Sequence, residues 1–176
     1  LTELKINWPN KKSSNCSPGA EWLKAAYDAN EAGTIIGLGN EVVVVGDSGS
    51  IAASDLNSVN ALTTGAIGAS SVKTVTGSIA DLLKVYSPSN SAGAIGGLGD
   101  EAIIVSDSGT VAATDISSLD SATTGSITAT GVTKLTGSVT EITAARAGAV
   151  LTGLTNIALT GATETFDALN YLASNA

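Results

Sequence analysis

The chain has 176 residues, a formal net charge of −8, no histidine and one cysteine. Phosphate recognition requires clustered lysine and arginine, so this charge argues against nucleic-acid binding, and no apolar run is long enough to span a membrane. Without histidine the chain lacks the commonest general base and metal ligand, so we expect no enzymatic activity, and the lone Cys16 excludes an intramolecular disulfide.

The sequence repeats itself at a period of sixty residues. A fixed period of this size is typical of repeat architectures, in which each unit buries its apolar face against its neighbours. Three motifs return sixty positions later: Gly37-Leu38-Gly39 as Gly97-Leu98-Gly99, Asp47-Ser48-Gly49 as Asp107-Ser108-Gly109, and Thr63-Thr64-Gly65 as Thr123-Thr124-Gly125.

Residues 1–31 differ from the rest and are predicted to form an atypical N-terminal capping or docking segment with the first coil. This segment holds both tryptophans, Trp8 and Trp22, and two of the three prolines. Residues 4–8 are predicted to form the first strand. Terminal repeats must cover an otherwise open core edge, so the two tryptophans are candidates for a self-association surface.

Residues 32–150 are predicted to hold two copies of the 60-residue repeat, each divided into two strand-plus-helix coils. An acidic residue followed by apolar residues three apart predicts a short helix, and β-branched runs predict strands. These runs are Val42–Val45, Val72–Val75, Ala102–Val105, Val132–Leu135 and Ile157–Leu159. A second short apolar stretch, such as Ile35 and Ile36, predicts an additional strand in each coil. The helix pattern occurs at Glu21-Trp22…Ala25, Asp55-Leu56…Val59, Asp81-Leu82…Val85, Asp115-Ile116…Leu119 and Glu141-Ile142…Ala145.

Local signals support the predicted helix ends. Ser78 with Asp81, and Ser138 with Glu141, have the spacing of an N-terminal capping box, of which the aspartate version is the weaker. The helices are predicted to end at glycine or asparagine. The predicted ends are Gly65, Asn90, Gly93, Gly125 and Gly148.

Together these elements predict an α/β repeat solenoid of about six strand-plus-helix coils, with successive strands stacked in parallel ladders. The alternative is an all-β solenoid in which the predicted helices are turns. Residues 151–176 are predicted to form an atypical C-terminal half-repeat. Because its apolar residues Leu169, Tyr171 and Leu172 lack a polar cap, they are further candidates for self-association.

The repeated acids raise the question of calcium. Asp47, Asp55, Asp107 and Asp115 lie in or near glycine-containing turns, where Ca²⁺ finds several hard oxygen ligands. Their spacing matches neither the EF-hand nor the nonapeptide calcium repeat, and helix starts and turn stabilisation explain the same acids. The loop around Asp47-Ser48-Gly49 is similar to the nucleophile loop of serine proteases, but no histidine exists to activate the serine. No other cofactor is expected.

The segments from Val105 to Ile116 and from Val75 to Tyr86 resemble repeats of very long surface-associated or secreted proteins of marine cyanobacteria. The resemblance covers about residues 32–150 and is carried by repetitive motifs of low complexity. It implies structural material of the cell surface or extracellular space, and it brings no catalytic residue to this chain.

The first functional hypothesis is therefore an extracellular structural repeat protein that self-associates head to tail into a filament or surface layer. The second is an adhesin segment of a larger protein that binds glycans or the cell envelope, with calcium as its candidate ligand. The third is a piece of a viral fibre. In all three the partners are the chain itself or a surface.

Overall fold

Residues 19–87 and 95–160 are described in the computed structural model, and in them helices alternate with short strands. The helices of these ranges are α1 (Ala20–Glu31), α2 (Ala53–Leu62), α3 (Ile79–Val85), α4 (Ala113–Asp120) and α5 (Val139–Gly148). The strands are β1 (Val43–Val44), β2 (Ser50–Ala52), β3 (Ile67–Gly68), β4 (Thr74–Gly77), β5 (Ile95–Gly96), β6 (Ala102–Val105), β7 (Gly109–Ala112), β8 (Ile127–Thr128), β9 (Val132–Gly137), β10 (Ala149–Val150) and β11 (Asn156–Leu159).

The described residues divide into two compact units. In the first unit, β1, β3 and β5 form a parallel ladder in which Val43, Ile67 and Ile95 are aligned. Strand β2 pairs with β4, and α1 packs on α2. Because parallel strands need crossover connections, each intervening helix carries the chain back to the point where the next parallel strand begins.

The second unit contains two parallel ladders of its own. Strands β6, β8 and β10 align Ile103 with Ile127 and Ala149, and β7, β9 and β11 align Val111 with Leu135 and Ile157. Helices α4 and α5 pack on each other.

The core is built from the aligned strand residues and from one apolar stripe on each helix. The strand residues Ile67, Ile103, Ile127 and Leu135 are all at most 1% exposed. The helices contribute their apolar positions three apart, which is the spacing that places two side chains on one helix face. The residues at these positions that are 0% exposed are Leu56, Val59, Leu82, Ile116, Leu119, Ile142 and Ala145.

The predicted α/β class is confirmed, and the all-β alternative is wrong because the predicted helices form. The β-branched runs become β1, β4, β6, β9 and β11 as predicted. Strands β2 and β7 were not predicted. Ile35 and Ile36, predicted as a strand, do not form one. The predicted first strand at residues 4–8 lies outside the described residues.

The acidic–apolar helix pattern is confirmed in α2 to α5 but is wrong by one residue in α1. There Trp22 is 53% exposed and Ala25 is exposed, while Leu23 and Ala26 are buried in the places assigned to them. The first helix is therefore turned by about one residue relative to its sequence alignment with the others.

The predicted capping box is complete at Ser138 and Glu141, and its serine half is present at Ser78. Ser138 Oγ accepts from Glu141 N at 3.3 Å, while Ser138 N donates to Glu141 Oε2 at 2.7 Å. In the aspartate version, Ser78 Oγ accepts from Asp81 N and donates to Asp81 Oδ2 at 2.8 Å. The shorter aspartate thus bonds the serine hydroxyl, whereas the glutamate reaches the backbone.

The predicted helix ends are partly wrong. Gly148 ends α5 as predicted, and Asn90 and Gly93 lie outside the described residues. Gly65 and Gly125, however, lie beyond the ends of α2 and α4, at Leu62 and Asp120. The reason for glycine at these two positions is the polar contact between coils that is described below.

Candidate functional site

The carboxylate of Glu41 is a buried polar group of the first unit, and the residue is only 5% exposed. It accepts from the backbone N–H groups of Gly39 at 2.8 Å and Asn40 at 2.9 Å, and from the Tyr27 hydroxyl at 2.5 Å. A buried carboxylate is tolerated when several donors replace the water that it loses. These donors hold residues 37–41, which we call the Glu41 loop.

The Thr-Thr-Gly motif of the next coil, residues 63–65, forms hydrogen bonds to this loop. Thr63 Oγ1 donates to the Glu41 carbonyl at 3.2 Å and accepts from Gly65 N at 3.0 Å. Thr64 N donates to the Gly39 carbonyl at 2.8 Å. The two motifs recognised in the sequence are therefore two halves of one contact between successive coils.

The second unit repeats the arrangement sixty residues later. Glu101, 2% exposed, accepts from Gly99 N at 2.6 Å and Asp100 N at 3.2 Å. Thr123 Oγ1 donates to the Glu101 carbonyl at 2.7 Å and accepts from Gly125 N at 2.9 Å. We call residues 97–101 the Glu101 loop.

Two glycines in each loop have a left-handed backbone that other residues rarely adopt. The φ angles are +91° at Gly37 and +139° at Gly39, and +83° at Gly97 and +135° at Gly99. The near-equal values show that the two loops share one backbone conformation. The Gly-Leu-Gly motif is thus a requirement of the turn that brings two amides to the glutamate.

Two of the calcium candidates are helix caps. Asp47 Oδ2 accepts from Ala20 N at 2.9 Å, at the start of α1, and Asp107 Oδ2 accepts from Ile79 N at 2.6 Å, at the start of α3. A carboxylate at this end satisfies a free amide and complements the helix dipole. In each case the aspartate lies in a later coil than the helix it caps, so the contact again joins successive coils.

The other two calcium candidates lie on helices. Asp55 and Asp115 occupy the first turns of α2 and α4. Across the described ranges, no three histidine, cysteine or acidic side chains come together in a way that could hold a metal ion. The structure thus gives each of the four aspartates a place at a helix start, which was the alternative explanation for them.

Burial and hydrogen bonds at the Glu41 loop shift the pKa values of Glu41 and Tyr27. Burial alone would raise the pKa of Glu41, but the hydrogen bonds from the Tyr27 hydroxyl and the backbone amides outweigh it and hold the pKa below its ordinary value. Burial, reinforced by the bond to this carboxylate, raises the pKa of Tyr27 to about 12. The pair therefore favours an ionised glutamate and a neutral tyrosine near pH 7.

Several large apolar side chains of the described residues remain exposed, three of them on strands. Of the self-association candidates, Trp22 is 53% exposed, and Trp8, Leu169, Tyr171 and Leu172 lie outside the described residues. Sequence reasoning missed the exposed strand residues, whose signal was the unbroken run of β-branched side chains. Val44, Ile104 and Val150 lie on strands and Val42 directly precedes β1, and each of the four is between 45% and 53% exposed.

No protein-family model, curated protein or solved structure matches this chain. Within the described residues, no helix has the length and apolar character needed to cross a membrane.

Proposed function

We propose that this chain is a non-catalytic structural repeat protein of the cell surface or extracellular space, folded as a solenoid, that self-associates head to tail into a filament or surface layer. The observation that carries the proposal is that the repeated polar motifs serve the scaffold. Glu41, Glu101, Thr63 and Thr123 are all buried and all bonded between coils.

The arrangement of strands supports association through edges. Among the described residues, each ladder is parallel and has an edge strand at either end. Backbone N–H and C=O groups at such ends pair readily with another strand. A contact of this kind between unlike ends is heterologous and extends indefinitely unless the rotation closes a ring.

The composition supports an extracellular location. Serine, threonine, alanine and glycine dominate, basic residues are few, and the sequence pI is about 4.2. The competing function, a segment that binds glycans or the cell envelope, would use exposed side chains on one face of the solenoid.

Negative-stain electron microscopy of the purified chain at neutral pH, over a range of concentrations, tests the proposal. We expect fibres or sheets whose length grows with protein concentration, and sedimentation velocity should show the matching loss of monomer. A monodisperse monomer at every concentration would contradict self-association. A binding segment would then be the better account, to be tested by retention on glycan or cell-envelope surfaces.

A further inference from the structure

One segment of the repeat forms a paired strand in the second copy, whereas its counterpart in the first copy forms no strand among the described residues. Ile95 and Gly96 form β5 and pair with β3. Their counterparts sixty residues earlier, Ile35 and Ile36, pair with no strand among the described residues and are 41% and 85% exposed. The glycine that follows has a similar φ in both copies, so the local turn is similar and the two copies differ in whether a described strand lies beside it.

The adjacent strand β1 is open on the same side. Val43 N and Val45 N donate to Ala66 and Gly68 on β3. Successive residues of a strand point their backbone groups to opposite sides, so the N–H and C=O of Val44 point away from β3. No strand pairs with that side of β1 within residues 19–87 and 95–160.

A complementary pair of edges lies on the second unit. The Val150 carbonyl accepts from Ala129 N on β8, so the backbone groups of Ala149 and Leu151 point to the other side of β10. Strand β11 pairs with β9, and in the described part of the chain neither β10 nor β11 has a second neighbour.

The two pairs of edges have matching spacing. Where two strands follow each other in the chain without a helix between them, their corresponding residues are eight positions apart. The same interval separates Ala149 from Ile157 on one pair of edges and Ile35 from Val43 on the other. The other couples with this interval are Ile67 and Val75, Ile95 and Ile103, Ile103 and Val111, and Ile127 and Leu135, the two members of each lying in different ladders.

Resting on the self-association proposed above, we infer that β10 and β11 of one molecule pair in parallel with residues 35 and 36 and β1 of a second copy. Ala149 then lies opposite Ile35, and Ile157 opposite Val43, because the common spacing brings both pairs into register at once. The Ile36 carbonyl accepts from Leu151 N in this arrangement, as the Val150 carbonyl accepts from Ala129 N within the chain.

The same register brings exposed apolar side chains together. Val150, 50% exposed, comes beside Ile36, 85% exposed, on the outer face of the joined strands. Side chains directly opposite in adjacent strands contact each other and lose apolar surface to the contact. The second copy thereby covers the most exposed isoleucine of the described residues.

Mixed single-cysteine proteins test the contact. In a Cys16→Ser background, Ile36→Cys and Val150→Cys are prepared separately and oxidised together. Aligned residues on adjacent strands are about 4.8 Å apart, within the reach of a disulfide. The matched control replaces Val150→Cys with Thr128→Cys, which lies one strand further in, aligned with Val150. We expect at least about tenfold more mixed disulfide dimer than in the control, because two strand spacings exceed that reach.

A backbone variant provides an independent test. Val44→Pro removes a donor on the open side of β1 and keeps the bonds of Val43 and Val45 to β3, and edge strands tolerate proline in that orientation. Val44→Thr keeps both the donor and the branched shape. We expect Val44→Pro to raise the concentration needed for assembly at least about tenfold, with unchanged circular dichroism, and Val44→Thr to assemble normally.

The outcomes separate this contact from self-association itself. Fibres without mixed disulfides, and with normal assembly of Val44→Pro, would overturn the proposed contact and leave self-association standing. Such a result would also follow if residues 1–18 of the same molecule occupied the edge. Monomers at every concentration, without cross-links, would overturn both proposals.

Discussion

Gly125→Ala tests whether the repeated contact between coils stabilises the protein as the structure implies. A β-carbon at this position would lie 2.1 Å from the Glu101 carbonyl oxygen and 2.9 Å from Ala102 N. Both neighbours are backbone atoms of another coil and cannot turn aside as a side chain would. The two coils must therefore separate by about an ångström for the methyl group to fit.

The cost follows from what this separation breaks. The bonds from Thr123 Oγ1 to the Glu101 carbonyl, at 2.7 Å, and from Gly125 N to Thr123 Oγ1, at 2.9 Å, lie at the point of contact. Each contributes about 1 kcal/mol, and forcing atoms into a packed site costs about 1–3 kcal/mol more. We therefore expect a loss of about 3–5 kcal/mol in the free energy of unfolding, and a Tm about 10 °C lower for a chain of this length.

Urea unfolding followed by circular dichroism, with calorimetry for the Tm, measures this loss. The matched control is Gly49→Ala, where a β-carbon would meet no atom within 4 Å and φ is not left-handed. We expect that variant to unfold within about 1 kcal/mol of the parent. If Gly125→Ala lost less than about 1 kcal/mol, or no more than Gly49→Ala, the contact would not be a source of stability.

Four further predictions concern charge, capping and calcium. Since the folded pKa of Glu41 is lowered, its contribution is complete above the ordinary glutamate pKa and lost as pH falls through the folded value; urea unfolding of Glu41→Gln should lack this acid dependence. Since the pKa of Tyr27 is raised to about 12, its contribution is complete below about pH 10 and lost as pH rises to about 12, which Tyr27→Phe should abolish in alkaline unfolding. Ser138→Ala should cost about 1 kcal/mol through the lost cap, measured by the same titration, and a value near zero would contradict the capping box. Because Asp47 and Asp107 already cap helices, millimolar calcium or its chelation should shift the Tm by less than about 1 °C, whereas a larger rise with calcium would indicate an occupied site.

The sequence correctly predicts the strands whose own residues are apolar and β-branched. Ala102–Val105 is a run of apolar and β-branched residues, and it forms β6 with the predicted bounds. Ser50–Ala52 and Gly109–Ala112 were missed because each passes directly into a helix at the next residue, Ala53 or Ala113. Alternation over three or four residues cannot be separated from the start of a helical pattern when no turn lies between them.

The error in α1 has a different cause. Trp22 and Leu23 are adjacent and both apolar, so spacing of three gives two equally good stripes. In the structure Leu23 is the buried residue of the two. The helix face that carries Leu23 also carries Tyr27 four residues later, which is buried with its hydroxyl bonded to Glu41. A distant carboxylate thus decides which face of the helix turns inward, and local periodicity contains no such information.

The contact between Glu41 and Thr63 was also beyond local reasoning, yet the repeat carries a signal for it. Glutamate and threonine are twenty-two residues apart in the first copy, and Glu101 and Thr123 are separated equally in the second. A constant interval between two buried polar residues, in a chain where the coil length otherwise varies, indicates that the two are held together. The glycine two residues after each threonine is then required by the close approach.

The buried polar contacts also explain how a chain so rich in small and β-branched residues keeps one register. A parallel ladder of valines and isoleucines can slide by two residues and still bury apolar side chains, because alternate positions are equivalent. The same slide would take the carboxylate of Glu41 or Glu101 away from its amide donors and leave it buried without them, which costs several kcal/mol. The Glu41 and Glu101 loops therefore exclude shifted registers in each unit. The proposed contact between copies has no such carboxylate in its described strands, so its register depends on the apolar pairing of Val150 with Ile36.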